Sequence, residues 1–125
     1  MVLLEGINDL RSANPPATAD QIIAGYQQII DRVHAKGARI FGATITPVEG
    51  SARYTATMEA QRQKINQWIR TPGHFDGVVD FAAAIQDPSD PLRIKPADDS
   101  GDHLHPNDAG YQAMANAVDL SLFRP

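Results

Sequence analysis

Two short stretches of the chain carry the residue types and spacings that could do chemistry. The first is Gly6-Ile7-Asn8-Asp9, and the second is Asp99-Ser100-Gly101-Asp102-His103-Leu104-His105-Pro106. An Asp three residues before a His, in a segment closed by proline, can bend back onto the imidazole. A carboxylate on one ring nitrogen fixes the tautomer and leaves the other nitrogen free as a general base. An Asn side-chain amide at a strand end can donate to a developing oxyanion. Asn8, Asp102 and His105 are therefore the candidates for acid–base and electrostatic work.

Each candidate also has a plainer reading. Asn8 and Asp9 could be turn formers or a cap, and His103 and His105 could be solvated loop residues. Asp98, Asp99, Asp102, His103 and His105 are all potential metal ligands. Their spacing matches neither the EF-hand loop nor another recognised ligand pattern, so no metal and no cofactor is expected. Asp80 reads as a strand-end cap or loop anchor, His34 as a helix C-terminal residue and His74 as a turn residue. Met58, Ile65 and Trp68 read as core.

The elements that must position these residues follow from periodicity. Val2-Leu3-Leu4 is a continuous apolar run closed by Gly6, Asn8 and Asp9, the pattern of a buried strand in a parallel sheet. Thr18 stands three residues before Gln21, a capping-box spacing. Ile22, Ile23, Tyr26, Ile29, Ile30 and Val33 then recur at helical intervals up to Gly37. Residues 38–46 predict a second strand stopped by Pro47. Met58, Ile65, Trp68 and Ile69 predict a helix over 56–70, ended by Pro72-Gly73. Residues 75–81 carry Val78-Val79 in a third strand. A polar loop over 86–106 follows, and Asn107 caps a last helix with Tyr111, Met114, Ala115, Val118 and Leu122 on one face. Such alternation implies a parallel sheet between helices, with sites in the crevice beyond the strand C-terminal ends. Asn8, the segment from Pro47 to Ser51 and Asp80 lie there.

Composition bounds the remaining possibilities. The 125 residues suit a single domain, 1–125, within the usual range of about 100–150. With 42% apolar and 21% charged residues, the chain can build a core. A net charge of −4 argues against nucleic acid or an anionic membrane as the main partner, since both reward a basic face. The absence of cysteine removes disulfides, thiolate nucleophiles and Cys-based zinc sites. No apolar run approaches the roughly 18 residues of a membrane span. The N-terminal MVLLEGINDL lacks the basic lead of a signal peptide, and the compartment stays open.

Gly6-Ile7-Asn8-Asp9 resembles the GxND block of the SGNH (GDSL-type) hydrolases, and Asp102-His103-Leu104-His105-Pro106 resembles their DxxHP block. The run from Tyr54 to Ile69 and the segment FDGVVDFAAAIQDPSDPLR also resemble the GDSL-like lipase/acylhydrolase branch, so the likeness covers nearly the whole chain. It implies a hydrolase of small-molecule esters on an α/β, three-layer, flavodoxin-like sheet, here truncated to about three parallel strands with flanking helices. His105 would be the general base that activates a serine, and Asp102 would orient it. Asn8 would be an oxyanion-hole donor, presented by a backbone turn that Gly6 allows, with Asp9 in support.

The departure from that family is large. Its nucleophilic serine lies in a GDS block on the first strand, and a glycine that adds a second oxyanion donor follows the second. No Gly-Asp-Ser and no Gly-x-Ser-x-Gly occurs in these residues, which are expected to begin at what the family counts as strand three. Of Ser12, Ser51, Ser89, Ser100 and Ser121, two could approach His105. Ser51 follows the second strand, and Ser100 stands beside Asp102. Two expectations result. One is a weak ester hydrolase that holds the base without its serine. The other is a non-catalytic association module that forms a homodimer through the exposed strand edge from Val2 to Glu5.

Overall fold

Thr18 opens the longest helix as its spacing predicts. In the computed structural model, which describes residues 1–11 and 14–124, the Thr18 Oγ1 accepts the Gln21 N–H and the Gln21 Oε1 accepts the Thr18 N–H at 2.9 Å. Helix α2 (Ala19–His34) then buries Ile22, Tyr26 and Ile30 along one face. Helix α3 (Ala56–Arg70) has the predicted limits, with Thr55 accepting the Met58 N–H at 3.1 Å. Helix α5 (Asp108–Asn116) starts at Asn107, whose Oδ1 accepts the Gly110 N–H at 3.0 Å. It ends earlier than its apolar spacing suggests. Leu122 belongs instead to a separate 3₁₀ turn (Leu120–Phe123), opened by Asp119.

Strands β1 (Val2–Leu3), β2 (Phe41–Ala43) and β3 (Val78–Val79) form a parallel sheet in the order β1-β2-β3. Val2 lies opposite Phe41, and Gly42 opposite Val78. The second and third strands are shorter than the apolar runs suggest. Beyond β2 the backbone of Ile45 turns to a side chain, with Asn66 taking both its N–H and its carbonyl at 2.8 Å. The expectation of a buried first strand also needs correction. Among the described residues β1 has a neighbour on one side only, and Val2 and Leu4 are each 41% exposed.

Successive residues of a strand face opposite ways, and β2 displays both layers. Gly42 lies against the Phe75 ring, which packs with Tyr26 and Trp68. Phe41 points to the other face, edge-on to Phe123 at 5.0 Å. The main core fills the first face with Ile22, Tyr26, Ile30, Ile45, Ile65 and Ile69. A smaller cluster of Ile85, Ile94 and Met114 joins the later elements. Three elements escape periodicity. These are α1 (Ile7–Arg11), α4 (Phe81–Ile85) and an antiparallel hairpin of β4 (Gln86–Asp87) with β5 (Asp90–Ile94) inside the expected long loop. The result is the expected α/β class, three parallel strands between helices.

Candidate active site

The 98–107 loop is pinned where α5 begins. The Asn107 N–H donates to the Asp98 carbonyl at 2.8 Å, and its side-chain amide reaches the carbonyls of Ala97 and Asp99. The Ser100 N–H donates to the His105 carbonyl at 3.0 Å, so the loop doubles back on itself. At its tip the Asp102 Oδ1 accepts the backbone N–H groups of Leu104 (2.9 Å) and His105 (2.8 Å), while its Oδ2 faces the His105 Nδ1 at 2.5 Å. The His105 backbone N–H, then its ring, then the Leu104 N–H hold the Asp102 carboxyl well below the usual carboxylate range. With Nδ1 donating to that carboxylate, the His105 Nε2 is the nitrogen with a free lone pair.

His105 borders a hollow of about 170 Å³ that it shares with Asn8, Thr46, Leu4, Leu104 and Met114. Asn8 reaches it from the first turn of α1, so Asn8 and Asp9 are helical rather than loop residues. Among the described residues, nothing takes up the Asn8 side-chain amide. Gly6 makes this placement possible. Its φ is +105°, its carbonyl accepts the Leu10 N–H at 3.1 Å, and a Cβ would stand 3.0 Å from the Tyr26 hydroxyl. That hydroxyl donates to the Glu5 carbonyl at 2.7 Å. Burial pushes the Tyr26 phenol well up, with Glu5 and Asp9 adding to it. Asp9 borders a separate hollow of about 290 Å³ beside Tyr26, away from the imidazole.

Thr46 was not foreseen as a wall of the His105 hollow, and its support was not foreseen either. Arg62 is buried, with its Nε and one terminal nitrogen on the two oxygens of Glu59 (2.8 and 2.6 Å) and the other on the Ile45 carbonyl at 2.7 Å. Together with Asn66 it fixes the backbone one residue before Thr46. Asp80 anchors the third strand end, as expected of it. It accepts the Ala83 N–H at the start of α4, the Thr44 hydroxyl at 2.8 Å, and two bonds from Arg70 at 2.8 Å each. His34 pairs with Asp76 at 2.8 Å, and His74 stacks on a half-buried Trp68 with ring centroids 4.1 Å apart.

The hydroxyls of the described serines are taken up by other partners. Ser51 is buried and donates to the Val48 carbonyl at 2.7 Å, while Ser100 donates to Asp102 at 3.0 Å. Ser89 and Ser121 donate to Asp87 and Asp119. Ser12 lies outside the described residues. The potential metal ligands divide into separate pairs. Asp99 takes His103, Asp102 takes His105, and Asp98 faces Lys95. Among the described residues, no three His, Asp or Glu side chains converge as a metal site would require.

This arrangement, an Asp-oriented imidazole and an Asn amide on one hollow at the strand ends, suits acyl transfer, and comparison with known proteins bears on it. The family model for GDSL-like lipases/acylhydrolases matches residues 1–113. The chain belongs to that family. For this GDSL-like chain no curated protein gives a significant match. Among solved structures, a GDSL-like lipase from Bacteroides thetaiotaomicron VPI-5482 superposes with a TM-score of 0.75 at 17% identity, covering 98% of this chain and 60% of the lipase. A candidate acylhydrolase from Bacteroides fragilis NCTC 9343 gives 0.70 at 19% identity, over 98% and 60%. A serine-to-alanine mutant of an acetyl esterase, with an acetate ion, gives 0.67 at 23% identity, over 98% and 56%. At these identities the likeness is one of fold. This member of the family therefore spans about three-fifths of the length of the solved structures it resembles.

Proposed function

We propose that this GDSL-like chain carries the base, its orienting carboxylate and one oxyanion donor of a serine-type carboxylic ester hydrolase acting on small-molecule esters. The observation that supports the reading best is the shared hollow. Asp102 occupies the Nδ1 side of His105, and Asn8 borders the space that His105 also borders. In the reaction, a serine Oγ attacks the ester carbonyl while the His105 Nε2 takes its proton. The Asp102 carboxylate stabilises the resulting imidazolium, and the Asn8 amide donates to the carbonyl oxygen as it becomes an oxyanion. The imidazolium then returns its proton to the departing alkoxide, leaving an acyl-serine that water hydrolyses by the same relay. Thr46 and Leu104 would line the acyl group.

No GDS block is present, so this reading assigns no serine among these residues to the nucleophile's place. The chain read this way is the part of an SGNH hydrolase that holds the GxND and DxxHP blocks. A short-chain nitrophenyl ester tests it. Expected is weak turnover, carried by binding and the Asn8 donor and lowered in Asn8→Ala, since serine hydrolases lacking a triad member retain roughly 10³- to 10⁴-fold catalysis over water. Turnover as fast as that of an intact serine hydrolase, yet indifferent to His105→Ala, would overturn the base assignment. Fast turnover abolished by His105→Ala would place the nucleophile inside the chain, with Ser51→Ala and Ser100→Ala telling which.

The exposed row on β1 favours a second reading. Met1, Val2 and Leu4 are 51%, 41% and 41% exposed along a strand with one free side. Such an edge pairs or aggregates unless covered. Two copies pairing along residues 2–5 would form a non-catalytic homodimer with a continuous six-stranded sheet. Analytical ultracentrifugation at micromolar concentration should then show a dimer that Val2→Lys dissociates, and a stable monomer would rule it out.

A further inference from the structure

The loop holds a second Asp–His pair, interleaved with the first. The Asp99 Oδ2 faces the His103 Nδ1 at 2.5 Å, and its Oδ1 accepts the backbone N–H of His103 (3.1 Å) and of Gly101 (2.9 Å). The Asp99 side chain is buried, at 7% exposure, while the His103 ring is about half exposed, at 51%. Asp102 lies within the segment that the 99–103 pair closes. The Asp102 backbone thus lies inside a ring of five residues, 99–103, that the Asp99–His103 bonds close.

The clasp has an outside anchor. The His103 ring lies on Gly50, where an added Cβ would stand 3.1 Å from it. Gly50 belongs to a turn held by the Ser51 N–H and hydroxyl on the Val48 carbonyl, and by the Glu49 N–H on the Leu92 carbonyl. His103 itself has a φ of +58°, unfavourable for a residue with a Cβ. Its ring contacts compensate for that conformation. The next side chain, Leu104, packs against the main core.

We propose that His103 is a positioning residue. Through Asp99 and Gly50 it fixes the loop so that Asp102 meets the His105 Nδ1, a proposal that rests on reading His105 as the general base. His103 touches neither substrate nor the reacting nitrogen. Its effect appears in the tautomer of its neighbour.

Imidazole ¹⁵N NMR of the whole chain tests this without needing turnover, with the His105 signals assigned by their loss in His105→Ala. The parent should show His105 as one tautomer with the proton on Nδ1. His103→Gly tolerates the positive φ but removes the ring, and should convert that signature to the averaged pattern of a free imidazole. His103→Asn also tolerates the positive φ and keeps a donor for Asp99, and should restore the single tautomer. A folded His103→Gly protein with the parental His105 signature overturns the proposal. So does an unfolded His103→Gly protein beside a folded His103→Asn protein without the signature. Fast ester turnover indifferent to His105→Ala would remove the proposed function, yet leave the tautomer result to decide the coupling.

Discussion

Asp102 receives His105 twice, once from the ring at 2.5 Å and once from the backbone N–H at 2.8 Å. A carboxylate bound to both ends of one residue fixes the direction of the ring as well as its tautomer. These bonds depress the Asp102 pKa, so the folded value lies below the unfolded one of about 3.9. The linked stabilisation is fully present above the unfolded value and disappears only as pH falls through the lower folded one. Carboxyl ¹³C NMR should show Asp102 still ionised at pH 3, where a carboxyl at the unfolded value of about 3.9 is mostly protonated. Titration of Asp102 at the unfolded value of about 3.9 would contradict this.

Gly6→Ala should destabilise the protein by about 1–3 kcal/mol. The added methyl meets the Tyr26 hydroxyl and demands a positive φ from a residue with a Cβ. Urea unfolding measures the loss. Gly37→Ala is the control, because it shares a positive φ but meets nothing within 4 Å. Its smaller loss separates strain from collision.

Arg62 and Glu59 are a buried ion pair, at 2% and 8% side-chain exposure. Removing one partner leaves the other charge uncompensated, so Arg62→Met should cost about 3–5 kcal/mol. Because Arg62 also holds the Ile45 carbonyl, the Thr46 amide resonance should shift in any variant that still folds. An unchanged melting temperature would refute the buried pairing.

Asp80→Ala removes the cap of α4 and the paired bonds from Arg70, and should cost about 1–2 kcal/mol at neutral pH, since the ion pair is partly exposed and screened. Burial alone would raise the Asp80 pKa, but Arg70, Thr44 and the Ala83 N–H outweigh it and leave it lowered. The stability difference between parent and variant should therefore hold above pH 5 and shrink as pH falls below about 3.9. A gap that widens in acid would reverse the assigned sign.

Local signals carried the long elements and much of the candidate site. Thr18 with Gln21, the apolar stripe of α3 with Pro72-Gly73 after it, and Asn107 before α5 are each local in the chain, so neighbouring residue types suffice to place them. The Asp102–His105 spacing is local in the same sense. What escaped depends on distant partners. α1 and α4 are five residues each, too short for a 3.6-residue period to register. Arg62 reads as a solvent-facing charge until Glu59 and the Ile45 carbonyl are brought to it. His103 looked like a solvated loop residue because its second anchor, Gly50, lies more than fifty positions away along the chain.

Asn66 gives Ile45 what a fourth strand would have given it, an acceptor for its N–H and a donor for its carbonyl. A carboxamide is one peptide unit without the chain, so the sheet is in effect prolonged by a single link borrowed from α3. A strand can slip by two residues and find an equivalent neighbour, but this link has no repeat. Sliding α3 by even one residue would break it. The helix therefore serves as a ruler for the sheet, and it marks off where β2 stops and the wall of the hollow begins.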